Sequence, residues 1–187
     1  MLIKRFGLTL ALLVGLSAAG TASEPPHPPE PDGFWMGAMQ GAVPATIAGG
    51  TAIGTEDLAA LVEHGGAVLI DVAPAPRKPE GLAADAIWLP PPHRSIPGSV
   101  WLPDVGLGEL PPERDAWFRA RLADLTGGDP DVPLVLFCHP NCWGSWNAAR
   151  RAILYGYTGV RWYPDGVEGW QDADLPTVTI EAETGLP

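Results

Sequence analysis

The chain has 187 residues and a formal net charge of -11, with 22 Pro and 23 Gly. Apolar residues make up 46%, enough to bury a core, which excludes a wholly disordered chain. The acidity argues against nucleic acid and against anionic membrane surfaces as partners, and an anionic substrate would need a local source of positive potential.

Residues 1–22 read as a secretory signal peptide. Lys4 and Arg5 precede the apolar stretch Leu8 to Ala19, and Ala18-Ala19-Gly20-Thr21-Ala22 offers small residues for cleavage. The apolar run falls short of the roughly 20 residues that span a bilayer, so no membrane association is expected after cleavage. Losing Lys4 and Arg5 takes the basic count from 11 to 9 against 22 acidic residues, a net charge of -13. The expected location is the periplasm, an oxidising compartment. Residues 23–50 are a Pro-rich tail followed by an arm, Phe34 to Gly50, that packs on the domain.

Residues 51–182 form the domain. Thr55 is positioned to cap a helix, with Glu56 and Asp57 in its first turn, Leu58, Leu61 and Val62 on one face, and Gly65-Gly66 after it. Ala67 to Ile70 is a buried strand with Asp71 at its carboxyl end, where α/β sheets place functional groups. Residues 73–93 are a long Pro-rich loop. Val100 to Leu102 is a short strand, and Pro112 to Leu125 a helix that opens on Pro and stops before Gly127. Leu134 to Phe137 is a second buried strand, running directly into Cys138. Ser145 to Tyr155 is a helix with Ala148, Ala149, Ala152 and Ile153 inward, and Val160 to Tyr163 the last strand. Strand and helix alternate, which predicts an α/β fold with a mostly parallel central sheet flanked by helices.

Cys138 carries the chemistry in this reading. It leaves a buried strand ahead of a helix amino end, where loop amides and the helix dipole lower a thiol pKa. His139 adds to this when protonated. Pro140 withholds an amide, and no Lys or Arg lies between Cys138 and Ser145, so small anions such as thiosulfate are poor substrates. Arg150 and Arg151 are expected on the solvated face of the helix. Cys142, the one other cysteine, either pairs with Cys138, resolves it, or joins it and His139 in holding copper(I), with His93 as the outside ligand. A metal is the minor reading. A further alternative is a non-catalytic module gripping a partner or cofactor through Trp88, Trp101, Trp143 and Trp146.

Four segments together resemble the rhodanese-like family over roughly Thr51 to Val178. They are Leu69-Ile70-Asp71-Val72, Ser95-Ile96-Pro97-Gly98-Ser99, Cys138 with Ala148-Ala149 behind it, and Asp165 to Trp170 with Leu175-Pro176. The resemblance implies a sulfurtransferase or thiol-redox site with Cys138 as persulfide or redox nucleophile. Cys142 joins it, and His139, Asn141, Trp143, Gly144, Ser145, Asp71 and Arg94 shape the loop or bind substrate. Two departures stand out: Ala73 occupies the place of the family's usual Arg, with Arg77 the nearest substitute, and the loop is one residue longer than in typical sulfurtransferases. Cys138 to Ala149 and Trp88 to Ser95 also resemble exported proteins with a Cys-x-x-Cys-Trp motif associated with catabolism dependent on pyrroloquinoline quinone (PQQ), although three residues separate the cysteines here. That narrower resemblance implies an accessory role beside a periplasmic quinoprotein dehydrogenase or electron-transfer partner, with no cofactor of the chain's own.

The export reading has a direct check. Protein recovered from the periplasm should begin near Ser23 by intact mass, whereas a full-length cytoplasmic chain would refute it.

Overall fold

The computed structural model describes residues 27–83 and 85–183; the export segment lies outside the described residues. Five strands form a wholly parallel sheet: β1 (Thr51–Ala52), β2 (Val68–Asp71), β4 (Val100–Trp101), β5 (Leu134–Phe137) and β6 (Val160–Tyr163), in the order β1-β6-β5-β2-β4. A separate antiparallel pair joins β3 (His93–Ser95) to β7 (Val178–Ile180). The helices are α1 (Thr55–His64), α2 (Pro112–Thr126), α3 (Trp143–Leu154) and α4 (Gly166–Asp172).

β5 is central, and all four of its residues are buried. Its alternating side chains divide two cores. Leu134 and Leu136 pack with residues of α2, α3 and the arm, while Val135 and Phe137 pack with Leu58 of α1 and with Val167 and Trp170 of α4. A continuous apolar run is therefore what a strand covered on both faces requires.

The expected elements are present, with local differences. Gly54, not Thr55, is the residue before α1, and the Thr55 hydroxyl bonds the Tyr163 hydroxyl at 2.8 Å. Of the predicted α1 face, Leu58 is buried, whereas Leu61 and Val62 are half-buried. α3 begins two residues earlier than expected, which shortens the loop after Cys138. The strands β1, β3 and β7 are two or three residues long and too short to show a period.

The arm does pack on the domain, and through named bonds. The Asn147 side chain, fully buried on α3, accepts the Trp35 amide at 2.8 Å and donates to the carbonyls of Trp35 and Gly106, both at 3.0 Å. Arg151 is 3% exposed, contrary to its expected place on the solvated face. Its guanidinium bonds the carbonyls of Val105 and Gly108 and lies 4.0 Å over the Phe34 ring. Arg150, half-buried, donates to the Ala48 carbonyl. These cations satisfy backbone groups that the irregular arm and the 102–110 loop leave without strand partners.

Asn147→Ala removes the partners of three backbone groups at once. Chemical denaturation should show a loss of about 3 kcal/mol, with faster proteolysis in residues 34–50. A loss under about 1 kcal/mol would mean the arm is not held through this residue.

Candidate dithiol site

Cys138 follows β5 directly and Cys142 immediately precedes α3. The loop between them turns back sharply, with Asn141 in the left-handed region at φ 55°. This return brings the two sulfurs to 2.7 Å. That is closer than an ordinary non-bonded contact and longer than the ~2.05 Å of a disulfide; both cysteines are free. Of the readings open for Cys142, this geometry favours its pairing with or resolving Cys138. Both sulfurs are buried and face each other.

The relative acidity is the reverse of the expected one. Cys138 is fully buried. The hydrogen bond it shares with Cys142, with burial, pushes its pKa far above the usual thiol value. Cys142 is lowered to about 6, first by the bond it shares with Cys138 and then, against the effect of burial, by the amides of Ser145, Gly144 and His139. Its sulfur makes no capping hydrogen bond of regular geometry, yet it sits at the positive end of α3. The helix begins at Trp143 rather than Ser145, so the residue best placed for activation is Cys142, not Cys138.

Both cysteines open onto a cavity of about 100 Å³. The other lining residues are Met39, Gln40, Val72, Pro74, Asp104, Gly106, Leu107, His139 and Gly144. Among the described residues no Lys or Arg lines it. The approach of the walls is tight: a Cβ on Gly106 would fall 2.4 Å from the Gly144 carbonyl oxygen. The arm forms one wall. Gln40 pairs with Cys142 in an antiparallel bridge, flanked by the bonds from the Gly41 amide to the Asn141 carbonyl (3.0 Å) and from the Trp143 amide to the Met39 carbonyl (2.8 Å).

The other expected site residues divide sharply. His139 and Gly144 line the cavity, and His139 Nδ1 bonds Glu168 at 2.8 Å. Ser145 is buried; its hydroxyl donates to the Cys142 carbonyl and accepts from the Trp162 indole, fastening the end of the loop. Asn141 is exposed on the opposite side of the loop. Trp143 is 2% exposed and stacks on Trp35 at 4.2 Å. Trp101 and Trp146 are buried as well, so the expected Trp gripping surface does not form.

Asp71 is buried beside the sheet, and its carboxylate is taken up by the Ala73 amide, the Ser95 hydroxyl and His93 Nε2. It holds the chain where β2, β3 and β4 meet, and does not line the cavity. Arg94 points elsewhere, donating to the hydroxyl and carbonyl of Thr177. Arg77 is exposed and 3.9 Å from Asp104, so it does not replace the missing family Arg at the cavity. His93 is committed to Asp71 and stacked on Trp101, away from the cysteines, which removes it as a metal ligand beside them. Among the described residues, no three of His, Cys, Asp and Glu converge as a metal site. Sequence reasoning missed Met39 and Gln40, because nothing in an aperiodic arm signals which residues reach the loop.

The rhodanese-like domain family matches residues 54–173. The chain belongs to this family. No curated protein matches it significantly. Among solved structures, the 3-mercaptopyruvate sulfotransferase SseA from Escherichia coli is similar at 22% identity and a TM-score of 0.50, covering 72% of this chain and 54% of that one. Thiosulfate sulfurtransferase from Pseudomonas aeruginosa is similar at 18% identity and a TM-score of 0.47, covering 71% of this chain and 21% of that one. The polysulfide-sulfur transferase from Wolinella succinogenes is similar at 20% identity and a TM-score of 0.45, covering 74% and 82%. At such identities the likeness concerns the rhodanese fold alone. The arm residues Met39 and Gln40 lie upstream of the matched segment.

The order of acidity predicts the order of labelling. In reduced protein, iodoacetamide should label Cys142 first, at a rate that rises with pH through about 6 and then levels as the thiolate fraction saturates. Peptide mapping that finds Cys138 labelled first would reverse the assignment.

Proposed function

We propose that this chain is an exported rhodanese-like dithiol protein in which Cys142 attacks and Cys138 resolves. The observation that carries this reading is the 2.7 Å approach of the two sulfurs in the wall of one cavity. The Cys142 thiolate attacks one sulfur of a substrate disulfide and expels the other half as a thiolate. Cys138 then attacks Cys142, forms the Cys138–Cys142 disulfide, and releases the remaining half as a thiol once its proton is passed on. The substrate gains two electrons and the dithiol loses two; the reverse sequence oxidises a substrate dithiol.

Sulfur transfer enters the same cycle. Attack on a persulfide donor places one sulfur on Cys142 and frees the donor thiol. With Cys138 so close, the new persulfide is resolved: the Cys138–Cys142 bond forms and hydrosulfide leaves. A lone-cysteine transferase lacks this second step and keeps its persulfide for an acceptor. The absence of a cation from the described lining, with Asp104 in it, disfavours thiosulfate.

The setting we propose is the periplasm, in service of PQQ-dependent alcohol oxidation. The signal-like residues 1–22 and the resemblance of Cys138 to Ala149 support it. The partner in this reading is a quinoprotein dehydrogenase or an associated electron-transfer protein.

Equilibration with glutathione mixtures followed by thiol trapping tests the dithiol step. Both thiols should disappear together, at a potential above the roughly -300 mV of structural disulfides, because so short a loop constrains the unfolded chain little. Sulfide should be released from a persulfide donor, with thiosulfate turnover near background. A lasting persulfide on Cys138 beside a free Cys142 thiol would overturn the reading.

A further inference from the structure

Beyond the initiator Met1, the sequence holds four sulfur-bearing residues: Met36, Met39, Cys138 and Cys142. They lie about a hundred positions apart in two groups, yet the fold gathers them at one place. Cys138, Cys142 and Met39 line the same cavity. Met36 is 66% exposed, and its sulfur lies against Gly108, next to the Gly106-Leu107 segment that lines the cavity. The arm's hydrogen bonds to the loop produce this convergence, since the Met39 carbonyl is itself bonded to the Trp143 amide.

We propose that the reduced site binds one soft monovalent metal ion, copper(I), through Cys138, Cys142 and the Met39 thioether, with Met36 as an exposed first contact for the incoming ion. Thiolate and thioether donors in apolar surroundings select copper(I) over harder ions. The remaining lining is mostly apolar, and its carboxylate, Asp104, faces Arg77. Binding exchanges the proton held between the two sulfurs for the ion. The displaced proton leaves to solvent, no electron moves, and no oxidant is needed. The sulfurs must part: two metal–sulfur bonds of ~2.3 Å at a trigonal angle need them about 4 Å apart. The adjoining space of about 100 Å³ accommodates this by side-chain rotation. The proposal rests on the same two thiols as the dithiol reading, but it requires Met39, which that chemistry does not.

Anaerobic titration of the reduced mature chain with copper(I), against a chromophoric copper(I) chelator, tests it. One ion per chain should bind, Met39→Leu should weaken binding about tenfold or more, and Cys142→Ser should abolish it. X-ray absorption of the wild-type complex should count three sulfur neighbours, which keeps the test decisive should Met39→Leu misfold. Failure to bind, two sulfurs only, an affinity indifferent to Met39→Leu, or a preference for zinc would overturn the proposal. Thiol trapping on the metal-free protein reports separately on the disulfide cycle, so failure of one reading is distinguishable from failure of the other.

Discussion

The clasp between the arm and the active loop is the contact on which the site depends. Two main-chain hydrogen bonds, Gly41 to Asn141 and Trp143 to Met39, straddle Cys142. The Trp35–Trp143 stack and the Asn147 side chain fix the same strip of arm from below. A loop of this length, left alone, would sample many conformations, and each pairing of cysteine rotamers would be transient. Held at both ends and across its middle, it presents Cys142 to Cys138 without further ordering. The entropy of bringing the two sulfurs together has been met during folding, so it does not have to be met again at each reaction.

Electrostatics then separates two chemically identical side chains. Cys138 ends a strand buried on both faces, where a thiolate has little to replace its lost water. Cys142 is also mostly buried but stands at the amino end of α3, where amides without helical partners face outward. Burial and the helix amides therefore favour the thiolate on Cys142 over Cys138. In the proposed cycle this supplies an attacking thiolate and a resolving thiol without a separate base. His139 lines the cavity too, but its Nδ1 is engaged by Glu168.

The sheet was readable because its strands are continuous apolar runs, and β5 is found at the very residues expected. The cysteine loop was readable for the same reason: a strand that ends at Phe137 fixes where Cys138 stands. What sequence could not give was the direction of side chains set by non-local partners. Asp71 and Arg94 look like site residues in one dimension, and only the β3–β7 pair, two strands of three residues each, reveals that both are engaged elsewhere. Trp143, Trp146 and Trp101 present the same ambiguity, since a Trp cluster reads equally as a ligand platform or as core until its burial is known. The order of the two thiols turned on where α3 begins, and helix boundaries are the weakest part of a periodic pattern. The wall formed by Met39 and Gln40 depends on backbone pairing at a distance of about a hundred residues, for which an irregular segment carries no local signal.

The three states proposed for the pair exclude one another. A proton, a covalent bond and a soft metal ion each occupy the line between the same two sulfurs. Oxidation removes the thiolates that a metal needs, and a bound ion removes the nucleophile that a disulfide substrate needs. The cavity is bounded by the closely packed Gly106 and Gly144 on one side and by the arm residues Met39 and Gln40 on the other. No Lys or Arg is among the described lining residues, and the one lining carboxylate, Asp104, faces the exposed Arg77 from 3.9 Å. The arm that supplies Met39 and Gln40 to the cavity lies outside the family match over residues 54–173, so the segment that matches the family does not by itself enclose this site.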